Sequence, residues 1–197
     1  MRLIVGLGNP GARHAGNRHN IGFMAAAAIA RRWGFSPFRS RFKGELAEGT
    51  VAGAKRLLLL PQTFMNASGE AVLAAMSFYK IALADIVVMH DELDLRPGKV
   101  RVKKGGGSAG HNGLRSIDAL IGPDYWRVRL GIGHPGVREL VYPYVLQNFA
   151  ADEREWVAKL VEAVAETLPL LLDGAPDAFM SEVARLAPPP AASAEEP

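Results

Sequence analysis

The chain contains no cysteine, so neither a disulfide nor a thiolate metal site can form, and nothing in it points to export. Also missing is any run of about 18 uncharged apolar residues, which excludes a membrane-spanning helix. The five histidines, His14, His19, His90, His111 and His134, show no H-E-x-x-H spacing or other convincing ligand pattern, so neither a metal nor any other cofactor is expected. The first 44 residues lack acid altogether, and no internal repeat is present. The apolar stretch at 3–7 is far too short for a signal-peptide core and runs into a Gly-Asn-Pro-Gly turn, which makes the cytoplasm the expected location.

What is present fits one globular domain. A chain of 197 residues with 49% hydrophobic and 22% charged residues supports a single sizeable core, expected over 1–186. Residues 187–197 are rich in Pro and Ala, carry no large apolar side chain, and are expected to stay disordered. Charge is segregated: residues 1–44 hold eight Arg or Lys and no acid, whereas 150–197 hold three bases against ten acids. That asymmetry is either the footprint of a polyanion binder or a solvated basic face beside an acidic terminal helix.

The patterning predicts strands at 3–7, 55–60, 85–89, 99–102 and 127–132. Between them, helices are predicted at 20–33, 67–79 and 113–121, followed by an amphipathic helix at 152–172 and a shorter one near 178–186. Strands alternating with helices give an α/β fold, a single domain with a mixed twisted β-sheet and helices on both faces.

Two motifs invite readings that their context does not sustain. Gly6-Leu7-Gly8-Asn9-Pro10-Gly11 matches the dinucleotide fingerprint after a strand. No helix opens directly beneath it, however, and the first acid is Glu45, too far on to bind the ribose. Arg31 or Arg32 would suit a 2′-phosphate, which keeps an NADP reductase as a rival. Gly106-Gly107-Ser108-Ala109-Gly110 satisfies G-x-S-x-G, with Asp118 and His134 following in hydrolase order. It follows Arg101-Val102-Lys103-Lys104 rather than an apolar central strand, so its glycines read instead as a loop that bends near a bulky ligand.

Four blocks together resemble the bacterial peptidyl-tRNA hydrolase family. They are Val5 to Gly11 with Arg18-His19-Asn20, Pro61 to Gly69, His90-Asp91-Glu92-Leu93-Asp94, and Gly105 to Gly107 with Gly110-His111-Asn112-Gly113. The resemblance runs from Leu3 to about Phe149. It implies a monomeric, metal-independent α/β domain that cuts the ester between a nascent peptide and the 3′ ribose of tRNA, holding the acceptor stem and CCA end. His14 stands where the family usually has tyrosine, and Asn17 where it usually has threonine. A non-catalytic RNA-binding relative is the remaining rival, and it would be expected to lack one of the site groups.

Residue chemistry agrees with that implication. Ester hydrolysis needs water deprotonated as it attacks, and a neutral imidazole with a pKa of about 6.5 suits that step near neutral pH. The block match selects His19 among the histidines. Asp91, at the end of an apolar strand, either fixes the His19 tautomer and stabilises its imidazolium or caps a turn. Asn9, Asn66 and Asn112 lie in loops or at helix starts, where a turn or N-cap role is the plain reading; Asn66 fits a cap particularly well. The resemblance implies instead that Asn66 and Asn112 hold the water or substrate carbonyl, and that Asn9 positions the peptide end. It also places His14 and His111 at the substrate. Phe64 and Met65 supply either an apolar floor or core packing. Arg101, Lys103, Lys104, Arg127 and Arg129 read as solvated sheet edges, while the resemblance implies that Lys103 and Arg129 clamp tRNA phosphate.

Overall fold

The computed structural model describes residues 1–192. Its strands are β1 (Arg2–Gly6), β2 (Arg39–Arg41), β3 (Gly44–Val51), β4 (Ala54–Pro61), β5 (Ile86–Glu92), β6 (Val100–Lys104) and β7 (Trp126–Gly131). They form one seven-stranded sheet in the order β2-β3-β4-β1-β5-β7-β6. The central strands β4, β1, β5 and β7 are parallel, and the hairpin β2-β3 and strand β6 add antiparallel margins. The helices are α1 (Ile21–Arg32), α2 (Ser68–Tyr79), α3 (Asn112–Ile121), α4 (Val141–Val145), α5 (Arg154–Leu172) and α6 (Pro176–Leu186). The mixed α/β sheet expected from the sequence is therefore present.

Side-chain alternation along the strands divides the core in two. Leu3, Val5, Leu57, Leu59, Ile86 and Val88 pack with Val72 and Ala75 of α2 and Leu114 and Ile117 of α3. Ile4, Leu58, Val87, Met89, Val128 and Leu130 form the other face with Ile21, Ala25 and Ile29 of α1, Leu160 and Val164 of α5, and Phe179 of α6. The near-continuous apolar runs in β1, β4 and β5 follow from burial on both faces.

Two glycines explain how close α1 sits to the sheet. A Cβ on Gly6 would stand 2.4 Å from the Gly22 carbonyl oxygen, and one on Gly22 would stand 2.4 Å from that of Met89. Only bare backbone fits there, and the short 3-10 turn Arg18–Asn20 that precedes α1 is thereby carried over the C-terminal end of β5. The same contacts answer the dinucleotide reading. The Phe23 ring occupies the space a side chain at Gly8 would take, so the glycines serve helix-to-strand packing and make no cradle for a pyrophosphate.

Several expectations are corrected. The hairpin β2-β3 was not foreseen, because β2 is three exposed polar residues and Gly-Glu-Leu-Ala-Glu-Gly-Thr-Val lacks a β-branched run. Nor was α4, a five-residue helix containing Pro143. Strand β5 runs on through His90, Asp91 and Glu92, all buried. Arg127, read as a solvated edge, is fully buried. The segregated charge is partly matched in space, since Arg31 and Arg32 on α1 pair with Glu162 and Glu166 on α5. Exposed pairs of this kind contribute about 0–1 kcal/mol each, but they remove α1 as an open basic face.

The segment 187–197, expected to be disordered throughout, begins packed. Ala187 is 4% exposed and its amide donates to the Val183 carbonyl, while Pro189 and Pro190 lie against Gly98. A glycine with positive φ lets the prolines approach there, a fit that composition does not reveal. Residues 193–197 fall outside the described residues. Truncation after Leu186 is therefore expected to lower the melting temperature by a few degrees, consistent with about 1 kcal/mol in a chain of this size. An unchanged thermal unfolding curve would show that this packing adds nothing.

Candidate active site

The ends of β1, β4 and β5 and the start of α3 meet on one side of the sheet, the position where open parallel sheets gather functional groups. Asp91 lies there with 3% of its surface exposed. His19 Nδ1 is 2.8 Å from Asp91 Oδ2 and 2.9 Å from Oδ1, and His111 Nε2 is 2.8 Å from Oδ1. His111 is also the N-cap of α3, because its Nδ1 accepts from the Gly113 amide at 3.1 Å and the Leu114 amide at 3.3 Å. An imidazole nitrogen that accepts two amides bears no proton, so His111 Nε2 carries the hydrogen and donates it to Asp91. His19 likewise donates from Nδ1, which leaves its Nε2 with a lone pair and no protein partner among the described residues.

Electrostatics reinforce this arrangement. Burial would raise the Asp91 carboxyl, but the two imidazoles outweigh it and hold the acid well below the usual carboxylate range. Burial likewise disfavours the His19 imidazolium, yet the charge and hydrogen bond of Asp91 overcome it and raise the His19 pKa above 6.5. His90, directly before Asp91, is pushed down to about 3, chiefly by burial and then by His111. Its Nδ1 donates to the Asp91 main-chain carbonyl at 2.7 Å, and its ring stands edge-on to His111 at 5.2 Å.

The turn bearing His19 is held from both sides. Asn20 Nδ2 donates to the Asn9 carbonyl and its Oδ1 accepts from the Asn9 amide, both at 2.9 Å. Arg18 pairs with Glu153 at 2.7 Å and lies over the Tyr144 ring at 4.4 Å. Asn17 donates to Asn148 Oδ1, so its own Oδ1 accepts from His14 Nδ1 at 2.8 Å. The two positions that depart from the family pattern, 14 and 17, thus bond to each other.

The other candidates divide. Asn9 Oδ1 accepts from the Met65 amide at 3.2 Å, joining the loops after β1 and β4 and leaving the Asn9 amide hydrogens free to donate. Asn66 caps no helix: it sits inside the 3-10 turn Met65–Ala67, exposed. Asn112 is the exposed first residue of α3, one place after the cap. Met65 belongs to the core against Leu7 and Gly113, whereas Phe64 is 81% exposed at the rim. Lys103 is exposed and has no ion-pair partner among the described residues, but Arg129 is bound by Glu92 at 2.6 Å. The Ser108 elbow is not assembled, since Asp118 accepts from Tyr125 and Arg127 and His134 accepts from the Gly136 amide in its own turn. Sequence reasoning missed Arg18, Asn20, His90 and Glu92 as supports.

Potential metal ligands of His19, Asp91 and His111 all lie within 4.8 Å of one another. Both nitrogens facing Asp91 carry hydrogen, however. Freeing His111 Nε2 for a cation would move its proton to Nδ1, against the Gly113 and Leu114 amides, and undo the α3 cap. The donor set fits a hydrogen-bonded relay and does not fit a cation.

Comparison with known proteins agrees with the geometry. Residues 3–190 match the family model for peptidyl-tRNA hydrolase. The peptidyl-tRNA hydrolase of Rhodospirillum rubrum is 60% identical over 184 residues, covering 93% of this chain and 76% of that protein. That of Methylobacterium nodulans is 62% identical over 183 residues, covering 93% and 90%. Among solved structures, peptidyl-tRNA hydrolase from Acinetobacter baumannii superposes with a TM-score of 0.89 at 40% identity, covering 95% of this chain and 96% of that one. With the family model matched over nearly the whole chain and the fold shared with a solved relative, this chain belongs to the peptidyl-tRNA hydrolase family.

Proposed function

We propose that the chain hydrolyses the ester joining a peptide to the 3′ ribose of tRNA, with His19 as the base. The observation that carries this reading is the contact of His19 Nδ1 with the buried Asp91 carboxylate at 2.8 Å, which selects the Nδ1–H tautomer and leaves Nε2 open. Water at Nε2 loses its proton to the ring as it attacks the ester carbonyl. The amides of Asn66 and Asn112, exposed in the 3-10 turn after β4 and at the start of α3, donate to the developing oxyanion without the charge that would lower the pKa of the base. Collapse of the tetrahedral intermediate breaks the bond to the ribose oxygen, which takes the proton back from His19. Asp91 stabilises the transient imidazolium.

The free amide of Asn9 suits a peptide carbonyl, with His14 and Phe64 as walls and His111 fixing Asp91, while Met65, in the core, holds Asn9 through its main-chain amide. Lys103 would take a phosphate of the acceptor stem as a point charge. Arg129 would join it by sharing or exchanging Glu92. The imidazole N–H groups facing Asp91, with His111 Nδ1 committed to the α3 amides, support metal-independent chemistry. No helix among the described residues is long and apolar enough to cross a membrane. Action in the cytoplasm as a monomer is part of the same proposal.

The test is turnover of N-acetyl-aminoacyl-tRNA with and without chelator. His19→Ala is expected to lower kcat about 10²–10⁴-fold with KM little changed, and chelator to have no effect. Lys103→Ala should raise KM and flatten its salt dependence while kcat holds. Near-normal turnover by His19→Ala would remove His19 as base, and loss of activity with chelator would contradict metal independence.

The pH profile carries a sign. His19 acts only when neutral and its pKa is raised, so kcat/KM should rise with pH through a midpoint above 6.5. In Asp91→Asn the raising influence is gone while burial remains, so the midpoint should move down and turnover fall by roughly 10²–10⁴-fold. A profile with the same midpoint in both proteins would separate Asp91 from the titration.

A further inference from the structure

Between β6 and α3 the chain passes through residues 105–111, a loop with positive φ at Gly105, Gly106, Ala109 and Gly110. Its main-chain ties are few: the Gly105 amide donates to the Tyr125 carbonyl, the His111 amide to the Ser108 carbonyl, and the His111 carbonyl accepts from the Arg115 amide of α3. Glycine conformations of this kind are permissive and do not hold a loop in place by themselves. Yet the loop delivers His111 and Asn112, the first bound to Asp91 and the second exposed at the start of α3.

Arg127 supplies the missing constraint. It stands on β7 opposite Lys103 in register and is 1% exposed. Its Nη1 donates to the Gly107 carbonyl and its Nη2 to the Gly106 carbonyl, both at 2.8 Å. Nη2 also reaches Asp118 Oδ1 at 3.0 Å and the Pro123 carbonyl at 3.4 Å, and only Nε lacks a partner. The guanidinium lies over the Tyr125 ring at 4.7 Å, and the Tyr125 hydroxyl donates to the same Asp118 oxygen at 2.6 Å. A buried charge needs one counter-ion, and Asp118 provides it. The two loop carbonyls are additional, and a planar fork is the side chain able to bind both at once. A Cβ at Gly106 would come within 2.6 Å of Lys103 Nζ, so the loop also lies against the Lys103 side chain.

We propose that Arg127 is a positioning residue: it fastens the Gly106 and Gly107 carbonyls to the sheet and thereby sets where His111 and Asn112 stand relative to Asp91. The inference rests on the roles given to those two residues above. A misplacement of about 1 Å at such groups lowers turnover by up to about 100-fold without touching the substrate. Arg127 itself meets no substrate, so the loss belongs in kcat and not in KM.

Arg127→Lys is the decisive variant, because it keeps the charge and the Asp118 pair but cannot bind both carbonyls. Two readouts are needed: amide hydrogen exchange across 106–111, and steady-state kinetics on N-acetyl-aminoacyl-tRNA. Exchange in the loop is expected to quicken, kcat to fall between about tenfold and a hundredfold, and KM to stay within about twofold. In Arg127→Ala, added guanidinium ion should restore part of the lost kcat. Loop exchange unchanged in Arg127→Lys would overturn the anchoring whatever the activity. Faster exchange with wild-type kcat would show that the loop does not place the site, and a raised KM at unchanged kcat would move Arg127 to tRNA binding. Should the wild-type protein fail to hydrolyse the substrate, the proposed function falls, while the exchange result still judges the anchoring.

Discussion

A carboxylate buried at the end of a sheet strand is tolerated only if donors surround it, and much of the site follows from satisfying Asp91. Two imidazoles do so, each presenting N–H and each fixed in tautomer by what its other nitrogen can do. For His111 the other nitrogen is committed to the first turn of α3, which makes one side chain both helix cap and carboxylate partner. For His19 the other nitrogen is uncommitted, and that asymmetry is why the base role is proposed for His19 and a supporting one for His111. His90 adds a third imidazole that stays neutral beneath them, tied to the main chain of Asp91.

The fold places these groups by close backbone packing. Gly6 and Gly22 let α1 descend onto β1 and β5, and the turn before α1 is clamped by Arg18 to Glu153 and by Asn17 to Asn148, residues more than a hundred positions away. The acidic C-terminal region thus serves the structure, because it neutralises α1 and steadies the His19 turn. The β6 margin stays open to a polyanion, with Arg101, Lys103 and Lys104 exposed and without ion-pair partners among the described residues.

Legibility in the sequence tracked the range of the interactions. The parallel strands and the helices α1, α2, α3 and α5 were readable because their apolar periodicity is local and strong. The hairpin β2-β3 was not, since its pairing depends on β4 beyond a tight turn at Ala52 and Gly53. His19 and Asp91 could be selected by residue chemistry together with motif resemblance, although 72 residues separate them. The cap role of His111 was hidden because Asn112, the conventional capping type, stands next to it. Arg127 and Arg129 both read as surface cations, yet one is buried on loop carbonyls and the other is held by Glu92. Charge alone does not tell these cases apart, because the acceptors come from other elements.

If Asp91 holds His19 as an Nδ1–H tautomer with a raised pKa and an open Nε2, a pH titration of the imidazole nitrogens by 15N NMR will show it, with His19 assigned through the His19→Gln variant. The expected spectrum has a neutral His19 protonated at Nδ1, titrating above 6.5, and a neutral His111 protonated at Nε2. A neutral His19 protonated at Nε2, or one titrating below 6.5, would contradict it.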